Sequence, residues 1–216
     1  MTQNKPLVKI CGLTSQSAVN ISVNAGADML GFVFFEASPR SLSIEHAANI
    51  MRDVPKSVIK VALTVNADDA LLDAVIQNTS INFVQFHGNE SLARLNEIKT
   101  RHGIGIIDVI PVSSPCDLHM AKNSERIADY LMFDAKPPEN ATRPGGNAKS
   151  FNWTYLSGFT AKVPWILAGG LTPLNVAEAI KISGATAVDV SSGVETSLAK
   201  KDQTKILDFI SEAKGN

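Results

Sequence analysis

Short apolar, β-branched runs alternate with longer amphipathic stretches from one end of the chain to the other. The runs fall at 7–11, 29–34, 59–65, 83–86, 104–109, 130–133, 165–167 and 187–190. They are nearly continuous in apolar residues, the pattern of strands buried on both faces of a parallel sheet. Between them the period lengthens to that of a helix. Over 15–25, Ala18, Val19, Ser22 and Val23 share one stripe, and Gly26 ends it. Over 90–101, Leu92, Leu95 and Ile98 recur at helical spacing, with basic residues near the end and Gly103 just beyond. Cations and glycine are what a helix C-terminus favours. Thr172 and Pro173 are predicted as the N-cap and first residue of a helix that carries Val176, Ala177 and Ile180 and stops before Gly184. Ile206, Leu207 and Ile210 predict a final helix beginning near Asp202.

Strand followed by helix, repeated about eight times, is the pattern of an α/β chain closed into a (β/α)₈ TIM barrel, and 216 residues lies near the lower end of its length range. An open doubly wound sheet uses the same local units and stands as the alternative. The fifth and sixth helices have the weakest patterns, because the stretch after Pro115 is polar and the one after Phe151 is short. No shift in composition marks a boundary, so one catalytic domain is expected over 1–216. One connection, 134–150, is rich in Pro, Gly and Asn and carries no periodicity. Long structureless loops inside compact domains are functional lids or disordered segments.

Composition narrows the partners. Apolar residues make up 44% and charged residues 19%, with a net charge of −1. That balance offers no electrostatic footprint for nucleic acid or an anionic membrane, which leaves a small molecule as the expected partner. Two cysteines, Cys11 and Cys116, without a CxxC pair point to a reducing compartment. The opening residues lack the apolar core of a signal peptide and no run is long enough to span a bilayer, so the cytoplasm is expected. No exposed stripe declares a dimer interface, and a monomer is the default.

In a barrel of this kind the chemistry sits just past the strand ends. Cys11 ends the first strand, Arg40 follows the second, Gln85 and His87 finish the fourth, and Asp134 follows the sixth. Gly169 and Gly170 follow the seventh, and Ser191, Ser192 and Gly193 follow Asp189 at the eighth. All would ring one rim. The two glycine-bearing turns lead toward helical segments, where backbone N–H groups can converge on a phosphate; each alone also reads as an ordinary βα turn. Cys11 reads as a small buried hydrophobe or, with cations or backbone dipoles nearby, as a reactive thiolate. Asp134 is either a turn-starting residue or an acid, Arg40 a solvated charge or a carboxylate binder, and His87 a satisfied rim histidine or a substrate contact. Cys116 reads as incidental. No histidine stands at ligand spacing from another His, Cys or carboxylate, so no metal is expected.

At these residues the sequence resembles the phosphoribosylanthranilate isomerase family. VKICGLT at 8–14, SPRS at 38–41, VQFHG at 84–88, FDAK at 133–136, PGGNAKSFNW at 144–153, LAGGLTPLNV at 167–176 and VDVSSGVE at 188–195 follow that family's motifs in order over nearly the whole chain. The resemblance implies an Amadori rearrangement in tryptophan biosynthesis, with Cys11 as general base and Asp134 as general acid. It implies further that Arg40 holds the anthranilate carboxylate, that Asp189 contacts sugar hydroxyls, and that the backbone at Gly169, Gly170, Ser192 and Gly193 holds the phosphate. No metal or organic cofactor is implied. Two departures stand out: Gly145-Gly146-Asn147-Ala148 where the family commonly has GGTG or GGSG, and Phe151-Asn152-Trp153 where many members have Phe-Asp-Trp. Asparagine serves as a helix N-cap as aspartate does. Cys11 needs a site that favours the thiolate, and Asp134 one that lets it keep a proton. The alternatives are the analogous Amadori isomerase of histidine biosynthesis and a non-catalytic sugar-phosphate-binding barrel.

Overall fold

The computed structural model describes residues 5–137, 145 and 150–215. Eight strands, β1 (Leu7–Ile10), β2 (Met29–Val33), β3 (Ile59–Thr64), β4 (Phe83–Phe86), β5 (Gly105–Val112), β6 (Tyr130–Ala135), β7 (Trp165–Leu167) and β8 (Ala187–Val190), pair in parallel in sequence order. The ring closes where β8 pairs back onto β1, with Lys9 in register with Asp189. Closure excludes the open doubly wound sheet, and the fold is a (β/α)₈ barrel.

The expected strands are all present, with ends that shift for local reasons. β1 stops at Ile10, yet the Cys11 N–H still donates to the Val190 carbonyl at 2.8 Å, so Cys11 keeps its strand geometry. β5 runs three residues beyond Val109 because Ile110 and Val112 continue the buried positions, while Pro111 is exposed at the strand's end, where its missing N–H is tolerated.

Helices α1 (Gln16–Asn24), α2 (Ile44–Met51), α3 (Asp69–Asn78), α4 (Leu92–His102), α5 (Ala121–Ser124), α6 (Val176–Ser183) and α7 (Gln203–Lys214) pack outside the barrel. Ser15, Ser43, Asp68, Ser91 and Asp202 cap five of them through side-chain oxygens, and Gly103 closes α4 in the left-handed conformation. The fifth unit has only a 3₁₀ turn at Pro115–Met120 and the single turn of α5, and the sixth only a 3₁₀ turn at Trp153–Leu156. Asn152 does cap that turn, accepting from the Thr154 N–H. The expected cap at Thr172 is one turn early. Asn175 takes the cap position instead: its side chain bends back to accept from the Thr172 N–H and to donate to the Gly170 carbonyl, which keeps the residues before Val176 out of the helix. A short hairpin, β9 (Glu195–Ser197) and β10 (Lys200–Lys201), lies between β8 and α7 and has no counterpart in the sequence pattern.

Strand side chains alternate between two cores. Val8, Ile10, Leu30, Phe32, Val84, Phe86, Leu131, Phe133, Leu167 and Val188 face outward into the layer beneath the helices. Met29, Val61, Ile107, Met132, Ile166 and Ala187 face the barrel's lumen. The same two-residue period carries the lumen-facing positions upward into Cys11, Val33, Leu63, Gln85, Asp134 and Asp189 at the carboxyl end.

A cleft at the carboxyl ends of the strands

Those upper lumen positions line one cleft of about 510 Å³, open mouth included. Cys11, Arg40, Gln85, His87, Asp134, Asp189 and Ser191 supply its polar wall, and Val33, Phe35, Leu63 and Val65 supply an apolar one. Of the residues singled out from sequence, Cys11, Arg40, His87, Asp134 and Asp189 therefore meet in a single space. A second cavity of about 500 Å³, its open side included, is lined by Gly170, Leu171, Thr172, Ser192, Gly193 and Lys205. The two adjoin through consecutive residues, Ser191 lining the first and Ser192 the second. Gly169 lies outside both linings, in the turn against Asp134. Its φ is +88°, and a Cβ there would stand 2.7 Å from the Ala135 nitrogen and 2.9 Å from Asp134 Oδ1. A side chain would displace the carboxyl group.

Asp134 and His87 form a pair. Asp134 Oδ2 lies 3.2 Å from His87 Nε2, and its Oδ1 accepts from the Ala135 N–H at 2.7 Å. The Gln85 amide stands 3.4 Å from His87 Nδ1 and also meets the Met132 sulfur, while its Oε1 is buried without a protein partner among the described residues. The imidazole thus stands between the Gln85 amide at Nδ1 and the Asp134 carboxyl at Nε2. Gly145 lies directly over this pair; the rest of the expected lid, 138–144 and 146–149, falls outside the described residues.

Arg40 is buried at 3% exposure, not solvated. Its fork already holds a carboxylate of the chain itself: Nε meets Glu195 Oε1 at 2.7 Å and Nη2 meets Oε2 at 2.8 Å. Among the described residues Nη1 is then the nitrogen left to face a ligand. Lys201 joins the same carboxylate at 2.9 Å and donates to the Ser191 carbonyl at 2.8 Å. Burial alone would raise the Glu195 carboxyl, but the Arg40 hydrogen bonds and the Lys201 charge outweigh it and hold the group below the ordinary carboxylate range. Burial pulls Lys201 below the ordinary lysine range, against the attraction of Glu195.

Cys11 and Asp189 converge on a cation that sequence reasoning missed. Lys9, 1% exposed in the lumen, places Nζ 2.7 Å from Asp189 Oδ1, as their register pairing requires. Burial raises the Cys11 thiol above its ordinary value, with Lys9 the leading opposing influence. Lys9, Glu195, Lys201 and Gln85 complete the site without having been assigned a role from sequence. A charged residue inside an apolar strand, Val8-Lys9-Ile10, was the available signal for the first, and the glutamate closing VDVSSGVE for the second.

In chemical terms the cleft offers a thiol, a carboxyl–imidazole pair, a second carboxylate and a guanidinium around an apolar wall, beside a second cavity lined by Gly170, Thr172, Ser192, Gly193 and Lys205. That set suits proton transfers on a sugar phosphate bearing an apolar ring. Among the described residues, no helix is long and apolar enough to cross a membrane.

Known proteins share both sequence and fold. Residues 8–212 match the family model described as N-(5'-phosphoribosyl)anthranilate isomerase. The protein of that name from Rhodospirillum rubrum is 50% identical over 211 residues, covering 96% of this chain and 97% of its own. The Thermotoga maritima phosphoribosyl anthranilate isomerase superposes with a TM-score of 0.88 at 36% identity, over 98% of this chain and 100% of that one. A phosphoribosyl anthranilate isomerase in complex with reduced 1-(o-carboxyphenylamino)-1-deoxyribulose 5-phosphate gives a TM-score of 0.83 at 34% identity, with the same coverage. The chain belongs to the N-(5'-phosphoribosyl)anthranilate isomerase family.

Proposed function

We propose that this cleft carries out its family's reaction, converting N-(5'-phosphoribosyl)anthranilate to 1-(2-carboxyphenylamino)-1-deoxyribulose 5-phosphate, with Cys11 as base and Asp134 as acid. One observation supports this reading above the others: a thiol from the end of β1 and a carboxyl from β6 enter the same space, next to a second cavity lined by glycines, Ser192 and Lys205.

The reaction needs an acid and a base on one sugar. Asp134 gives its proton to the furanose ring oxygen, the C1′–O bond breaks, and the anilino nitrogen's lone pair forms the C1′ iminium. Cys11, as thiolate, takes the C2′ proton, and the C–H electrons flow to the iminium to give an enolamine. Loss of the enol proton from the C2′ oxygen and protonation at C1′ yield the ketone. His87 Nε2, 3.2 Å from Asp134 Oδ2, holds the carboxyl group in place.

In this reading the phosphate lies in the second cavity, held by N–H groups at Gly170, Ser192 and Gly193, with Lys205 adding a cation from α7. Gly169 shapes the adjoining turn. Arg40 meets the anthranilate carboxylate through Nη1, and Asp189 accepts from sugar hydroxyls through the oxygen that Lys9 leaves open.

The test is direct. Purified chain mixed with phosphoribosylanthranilate should abolish its anthranilate-type fluorescence catalytically, at protein concentrations far below the substrate's. A sugar-phosphate sensor would instead bind without turnover. An enzyme of the histidine-pathway type would turn over its own substrate and leave this one largely unchanged. Either outcome would overturn the proposal.

A further inference from the structure

At the floor of the cleft Asp189 pairs with a buried cation, Lys9, that the acid–base scheme leaves unused. Around it the barrel is filled with Met29, Val61, Ile107, Met132 and Ile166, so a hydrophobic residue would fit the layer. Burying Lys9 and Asp189 there is costly by comparison, since a desolvated ion pair seldom outperforms apolar packing. The pair needs a reason other than stability.

Geometry supplies one. Lys9 and Cys11 stand two residues apart on β1 and point to the same side. Both border the space where Gly31 of β2 lacks a side chain: a Cβ there would lie 2.7 Å from the sulfur and 3.1 Å from Nζ. The ammonium donates to Asp189 at 2.7 Å, and it shares the space above Gly31 with the sulfur. The other charged groups acting on Cys11 are Asp189 from β8 and Lys201 from β10. Arg40 and Lys201 both bind Glu195, and His87 and Asp134 line the same cleft as Cys11. Lys9 is the strongest cationic influence on the thiol, and Asp189 works against it.

We propose that Lys9 is a positioning residue for the base: its buried ammonium is the counter-ion of a Cys11 thiolate, and Asp189 sets how much of that charge the sulfur receives. The inference rests on the reading of Cys11 as the base and extends it to how the base is formed. The thiol proton leaves to solvent through the cleft. Sugar hydroxyls that donate to Asp189 draw its charge away from Lys9, leave more of the ammonium to the sulfur, and so strengthen the base once the substrate is seated.

Alkylation reports the thiolate without requiring turnover. In a Cys116→Ser background, which removes the exposed competitor, iodoacetamide forms a carbon–sulfur bond at Cys11 with loss of iodide. The rate is followed by mass spectrometry across pH. Lys9→Met should slow it at least about tenfold at neutral pH and move the profile's midpoint upward, one pH unit corresponding to a factor of ten. Asp189→Asn should speed it severalfold and move the midpoint down. A merely structural role for the pair would shift both variants alike. Any folded variant that fails to move in its stated direction overturns the proposal, and if Lys9→Met does not fold, Asp189→Asn decides alone. Failure of the base assignment itself would show separately, as an active Cys11→Ala enzyme.

Discussion

At the residue scale one tightly constrained position in the site carries no functional group. Gly31 lies where the Cys11 sulfur and the Lys9 ammonium converge, and an added Cβ would approach not only those two atoms but also the Cys11 Cα at 3.0 Å. A side chain can turn away; a strand backbone hydrogen-bonded on both sides cannot. Gly31→Ala is expected to cost about 1–3 kcal/mol, the usual penalty for overpacking a close-packed interior. It should also lower turnover, because the thiol is what must move. Denaturant midpoints together with the fluorescence assay check this, and a variant with unchanged stability and rate would show that the sulfur is not held as described. The sequence offered Gly31 only as a glycine inside an apolar run. Its meaning lies in a neighbour twenty residues away, Cys11, and in a cross-strand register that no local pattern encodes.

At the element scale, periodicity fails where partners replace pattern. All eight strands were legible because lumen and outer layer both demand apolar side chains, giving runs too continuous to miss. The fifth and sixth helical units were faint for the reason found in the structure: the fifth is a 3₁₀ turn followed by one α-helical turn and the sixth a single 3₁₀ turn, with little surface to bury. The β9–β10 hairpin was invisible, being two and three residues long and held by charge rather than by an apolar face. Its anchor is Glu195, bound by Arg40 and Lys201 and also accepting from the Ala199 N–H.

Glu195→Gln would leave two buried cations without their anion, at a cost of about 3 kcal/mol. The pH dependence comes from the lowered carboxyl. A group whose folded value is depressed stabilises the fold above its unfolded value, about 4.3 for a glutamate. That contribution disappears as pH falls through the lower folded value. The stability gap between wild type and Glu195→Gln should therefore be widest near neutrality and narrow below about pH 4. Urea titrations across that range measure it, and a gap independent of pH would contradict the clamp.

At the scale of the whole molecule, closure turns separate strand ends into one site. Cys11 and Asp134 are far apart in sequence, and neither the thiol nor the carboxyl is distinctive where it stands. Only the ring of strands brings them to a shared cleft. Most of that cleft was legible as polar residues at strand ends, and the resemblance to a family assigned their roles. What sequence could not supply was the layer of countercharges: Arg40 engaged by Glu195, Asp189 by Lys9, and His87 set by Gln85. Those pairings join side chains whose meeting depends on which of them share a level of the barrel.

The central claim is an acid and a base acting on one bound sugar. Steady-state turnover of phosphoribosylanthranilate by Cys11→Ala and by Asp134→Asn, each confirmed folded by circular dichroism, tests it most directly. Each variant is expected to retain substrate binding and to lose at least about 10²-fold in kcat. Near-normal kcat in either one would contradict the account.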